Sequence, residues 1–107
     1  MSQEPKNEKT IKDGVLVLHP MRWKIINALK EDGQPRYIDQ IAEKIGADRQ
    51  LVSFHLSTLE ENGFVKSQFK FIERPNSPAG RAGRFYELTD KFDKIRPQLI
   101  KLLETKS

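Results

Sequence analysis

Cysteine is absent from the 107 residues. That excludes disulfides, zinc fingers and thiolate metal sensing, and it fits a reducing compartment. Long apolar runs are missing as well. The longest, Val15-Leu16-Val17-Leu18, falls far short of the roughly 20 residues that span a bilayer. No signal-peptide core is present, since Met1 to Asp13 alternates charged and polar residues, and a cytoplasmic protein is expected. Histidine is scarce: His19 and His55 stand alone, so no metal site is expected. There is no glycine-rich phosphate loop, no nucleophile paired with a base and no supported carboxylate pair. The chain is therefore read as a non-enzyme with no catalytic residue and no cofactor.

What is present begins with charge, a net +4 and a pI near 9.4, which hints at a polyanionic partner. The length suits one domain. Residues 1–13 read as a flexible tail and residues 14–105 as the domain. His19-Pro20 reads as helix cap and first helical residue, where proline's missing N–H costs nothing. A helix to about Asp32 follows, with Leu18, Met21, Ile25, Ile26 and Leu29 on one face at helical spacing and Gly33 as its stop. After a short extended connection from Arg36, a second helix runs from about Ile38 to Ile45 and closes on Gly46. Asp48 caps a third, Arg49 to Asn62. Two helices joined by a short glycine-containing turn have the spacing of a helix-turn-helix.

Beyond Gly63 the period drops to two. Val65, Phe69 and Phe71 fall on one side of a strand, expected to be the apolar one, and Lys66, Gln68 and Lys70 on the other. A turn-rich stretch, Pro75 to Gly83, predicts a long mobile tip before a return strand, Arg84 to Leu88. Thr89-Asp90 can cap a last helix carrying Phe92, Ile95, Leu99, Leu102 and Leu103, with Pro97 expected to kink it or mark a restart. The fold class predicted is mainly α with a small β-hairpin wing, a winged helix-turn-helix of order α-α-α-β-β-α.

In such a plan the second helix of the turn motif enters the major groove of DNA. Val52, Leu56 and Leu59 form its core stripe; Gln50, Ser53, Phe54, Ser57 and Glu61 lie opposite, with Arg49 at the N-terminal edge. Arg49 suits guanine acceptors, Gln50 adenine and Phe54 a thymine methyl, while Ser53 and Ser57 suit phosphates or bases. This helix is acidic overall, Asp48, Glu60 and Glu61 outweighing Arg49. Phosphate affinity then falls to the hairpin, where Lys66, Lys70, Arg74, Arg81 and Arg84 face only Glu73. His55 is expected to be half-buried and bonded to backbone. Trp23 and the apolar stripe of the last helix, Leu99, Leu102 and Leu103, predict a two-fold dimer, because so small a domain covers its apolar helices poorly.

His19-Pro20-Met21-Arg22-Trp23-Lys24-Ile25-Ile26-Asn27-Ala28-Leu29 resembles the first-helix signature of ArsR-type regulators. Ile41-Ala42, Val52-Ser53-Phe54-His55-Leu56, Leu59 and Gly63-Phe64-Val65 are similar to their helix-turn-helix and first wing strand, and Phe85-Tyr86-Glu87-Leu88-Thr89 to the second. The resemblance implies a homodimeric repressor or related regulator that dimerises through its first and last helices. It implies DNA contact at Arg49, Gln50, Ser53 and Phe54 and through the wing. The metal motif of some members is absent, the stretch here reading Tyr37-Ile38-Asp39-Gln40-Ile41, and no inducer follows from the residues. Three rivals remain: a protein–protein module built on the same fold, a non-specific architectural or RNA-binding protein, and, weakest, an enzyme.

Overall fold

The computed structural model describes the backbone of residues 4–74 and 77–104, and the side chains of residues 8–71 and 83–104. In chain order run α1 (Glu4–Val17), α2 (Pro20–Asp32), β1 (Arg36–Tyr37), α3 (Ile38–Ile45), α4 (Arg49–Glu61), β2 (Val65–Arg74), β3 (Ser77–Leu88) and α5 (Lys91–Glu104). The strands form one antiparallel sheet in the order β1-β3-β2.

Local chemistry sets most of the helix ends. His19 caps α2, its Nδ1 accepting from the Met21 N–H at 3.1 Å, and Pro20 opens the first turn. Gly46 takes φ +67°, a left-handed conformation that closes α3 where a side chain would be strained. Asp48 then caps α4, one carboxylate oxygen accepting from the Gln50 and Leu51 N–H groups at 3.0 and 3.2 Å. The turn between α3 and α4 is thus fixed at both ends, which sets the angle of α4.

The core lies where α2, α3 and α4 meet the base of the sheet. Ile25 and Ile26 of α2, Ile41 of α3, and Val52, Leu56 and Leu59 of α4 are buried with Phe64, Val65 and Tyr86. Each such aliphatic side chain contributes on the order of 1.5–3 kcal/mol by leaving water. Phe92 and Ile95 seat α5 on this core, and Val17 brings in the end of α1.

Several expectations are corrected. The tail expected over residues 1–13 is instead helix from Glu4 onward. Its buried positions, Thr10 and Asp13, are polar, and they are held by α5: the Thr10 hydroxyl donates to Gln98 at 2.9 Å, and Asp13 lies 3.6 Å from Lys91 Nζ. No apolar stripe announced them. The sheet gains β1, because Arg36 and Tyr37 pair with Tyr86 and Phe85. The ribbon is longer than read, β3 beginning at Ser77, so cross-strand pairing extends through Ser77–Gly83; Pro75 and Asn76 lie outside the described residues. α5 runs through Pro97 without a restart. One lost backbone hydrogen bond there is offset by the anchors around it, Phe92, Ile95 and Leu99.

Candidate nucleic-acid interface

The buried stripe of α4 leaves its other side in solvent. Gln50, Phe54, Ser57 and Glu61 are exposed there and Ser53 is half-buried, so the helix presents four of its expected contact residues together. Phe54 is 60% exposed, with its ring 5.1 Å from that of His55 in a T-shaped arrangement. Arg49 is exposed but engaged: its Nε stands 2.6 Å from Asp39 Oδ1 of α3. Any base that takes this guanidinium must compete with that carboxylate, a partner the motif reading did not reveal.

Behind Phe54 lies a buried relay. His55 is 3% exposed, and its Nδ1 accepts from Arg22 Nε at 3.1 Å rather than bonding to backbone as expected. Arg22 Nη1 also donates to the Leu16 carbonyl at 3.1 Å. The His19 ring sits 4.5 Å from the His55 ring. One arginine of α2 thereby ties the last turn of α1 to α4. Burial lowers the His55 pKa below its ordinary 6.5, with the charges of His19 and Arg22 acting in the same direction. Separations of 6 and 33 residues, with no motif linking them, kept this relay out of reach of sequence reading.

Beside α4 the ribbon projects from the body. Directly opposed residues of an antiparallel pair share a face. Val65, Ser67, Phe69 and Phe71 therefore share one with Leu88, Tyr86 and Arg84, and Lys66, Gln68 and Lys70 share the other with Glu87, Phe85 and Gly83. The first face begins against the body, where Val65 and Tyr86 are buried and the Ser67 hydroxyl donates to Glu60 of α4 at 2.6 Å. Further out, the described residues of this face stand in solvent. Phe69 and Phe71, read from the sequence as the apolar side of the strand, are 65% and 75% exposed. On the reverse face Lys66 and Lys70 are exposed as expected, and Arg84 is exposed on the phenylalanine face. The side chains of Arg74 and Arg81 lie outside the described residues, although both positions are in the ribbon.

The residues expected at a dimer interface also come together. Trp23, Leu99, Leu102 and Leu103 line a cavity of about 330 Å³ between α1 and α5. Trp23 is partly satisfied within the chain, its ring edge-on to Phe92 at 5.5 Å. Ile11, Val15 and Leu18 at the α1 end of the chain line the same cavity and are exposed; of these only Ile11 falls in the stretch expected to be a tail. Among the described residues, no group of histidine, aspartate and glutamate could hold a metal ion, and no helix is long and apolar enough to cross a membrane.

Residues 19–67 match the family described as bacterial regulatory protein, arsR family. No curated protein matches the chain. Among solved structures, diamide-treated YodB from B. subtilis is similar at a TM-score of 0.66 and 20% identity, over 96% of this chain and 89% of that one. The homodimeric winged helix-turn-helix domain of Mb0332 from Mycobacterium bovis, described as a possible ArsR-family transcriptional regulator, gives 0.62 and 17%, over 96% and 86%. The transcriptional repressor CouR, bound to a 23-mer DNA duplex, gives 0.58 and 23%, over 95% and 70%. At these identities the likeness establishes the winged helix-turn-helix fold.

Proposed function

We propose, for a chain whose residues 19–67 match the arsR family of bacterial regulatory proteins, that two copies together bind double-stranded DNA as a sequence-specific transcriptional regulator, a repressor. The observation that carries this reading is the face of α4: Gln50, Ser53, Phe54 and Ser57 turned away from a fully buried stripe, beside a projecting basic ribbon. Gln50 and Ser53 read base edges in the major groove, and Arg49 joins them when a base or phosphate displaces Asp39. Lys66, Lys70, Arg74, Arg81 and Arg84 neutralise phosphates, which supplies the affinity an acidic α4 lacks. DNA bound to CouR and the homodimer of Mb0332 support the partner and the assembly. Trp23, Leu99, Leu102 and Leu103 meet their counterparts across the two-fold axis. The role needs no catalysis, cofactor or metal.

Two variants separate the parts. Gln50→Ala lowers affinity for the cognate duplex by about tenfold, the loss of one bidentate base contact, and leaves binding to random duplex unchanged. Arg81→Ala with Arg84→Ala weakens binding to every sequence and flattens the slope of log K against log salt by roughly 2. Anisotropy titrations at several salt concentrations read both. Equal effects of the two changes on cognate and random DNA contradict the division of labour.

A further inference from the structure

The outer half of the wing carries an aromatic surface that phosphate binding does not use. Phe69 and Phe71 stand two residues apart on one face of β2, 65% and 75% exposed, past the point where Val65 and Tyr86 are covered by the body. Neither ring is needed by the core. The Arg84 guanidinium lies 4.8 Å from the centroid of the Phe69 ring, a cation held over an aromatic face that points to solvent. On the reverse side are Lys66 and Lys70, the latter 5.6 Å from the Phe85 ring. A phenylalanine that carries Arg84, on a thin ribbon whose reverse face holds two lysines, is a poor centre for a protein contact, because interface cores are depleted of charged residues. It suits nucleic acid, which offers flat bases to the rings and phosphates to the cations. The spacing fits as well. Residues two apart on a strand are separated by about 6.8 Å, roughly twice the 3.4 Å rise of stacked bases. Two such rings can open a base step or hold one base between them.

We infer that Phe69 and Phe71 form a wedge that enters a base step of the duplex beside the major groove held by α4, unstacking it and bending the DNA. Apolar side chains inserted from the minor groove kink a duplex in this way, and the unstacking is offset by the protein surface that the bend brings into contact. The wing then reads deformability: a flexible pyrimidine–purine step under the rings binds better than a stiff one, with no hydrogen bond to either base. This inference rests on the DNA-binding reading above and adds a specificity element to it.

The test uses the full chain and a duplex from the region upstream of its own gene, dye-labelled at both ends. Anisotropy gives affinity and energy transfer gives bending, each at several salt concentrations. The wild type brings the ends closer. Phe69→Ala with Phe71→Ala binds at least tenfold more weakly, loses the bend and keeps the salt slope, as expected when stacking and not charge is removed. Because both rings are exposed, its far-UV circular dichroism and melting temperature match the wild type. Lys66→Ala with Lys70→Ala flattens the salt slope and keeps the bend. A double phenylalanine variant that binds and bends like the wild type overturns the wedge. So does one that lowers the mass in sedimentation, which places the rings in a protein contact, and so does ring-dependent binding to single strands in preference to duplex. A wild type that binds neither duplex nor single strand refutes the DNA reading itself, a result distinct from failure of the wedge alone.

Discussion

Arg22 spans two surfaces with one side chain. Its Nε and Nη1 join the His55 ring behind the exposed face of α4 to the Leu16 carbonyl at the end of α1. The Nε bond requires a neutral His55 that accepts at Nδ1. Buried beside Arg22 and His19, His55 takes up a proton in the folded chain only below its ordinary 6.5, whereas the unfolded chain protonates at that value. Protons therefore bind the unfolded state first on acidification, and stability present at neutral pH falls as pH drops through 6.5 toward the lowered pKa. The melting temperature should follow that direction. His55→Leu should abolish this part of the slope while costing about 1–3 kcal/mol at neutral pH, because Arg22 Nε is left without its acceptor. A wild-type melting temperature that stays level across the same range contradicts the assignment.

Among the elements, α2, α3 and α4 were legible because their signals are local. A cap such as His19-Pro20 or Asp48 and a stop such as Gly46 act over a few residues, and the structure has each where the sequence placed it. α1 was not legible, since its buried residues include Thr10 and Asp13, whose polar groups meet Gln98 and Lys91 of a helix far away in sequence. The wing was half legible. Alternation assigned Phe69 and Phe71 to the face of Val65, but a period of two cannot say where the body beneath that face ends. On α4, residue type and wheel position marked the exposed face, yet the Arg49 partner Asp39 sits on a different helix. Gly14 is the close approach that lets α1 rest on α5: a Cβ there would lie 2.5 Å from Leu99 Cδ2. Alanine can be absorbed by rotation of the Leu99 tip. Gly14→Val should push the helices apart at a cost of about 1–3 kcal/mol, read by chemical denaturation. A variant as stable as the wild type contradicts the packing of α1 on α5.

For the whole molecule, the same α1–α5 pairing that closes one chain leaves its outer side apolar. Val15 of α1 and Leu103 of α5 are among its most exposed residues, and both line the cavity that Trp23 and Leu102 also line. In the proposed dimer a second copy covers this face and sets two α4 helices about one turn of DNA apart, which would couple assembly to DNA affinity. Leu103→Asp with Val15→Asp should yield a monomer in sedimentation velocity that binds duplex at least tenfold more weakly, through the loss of the second half-site. A double variant that remains dimeric moves the interface elsewhere.

The proposed function turns on recognition of a particular duplex by α4, with the ribbon supplying phosphate contacts. It is tested most directly by titrating the full chain against duplex from its own upstream region and against random duplex, by fluorescence anisotropy over a range of salt. The expected result is tighter binding to its own region and an affinity for both that falls steeply as salt rises. Equal affinity for the two duplexes, or no binding to either at low salt, would contradict it.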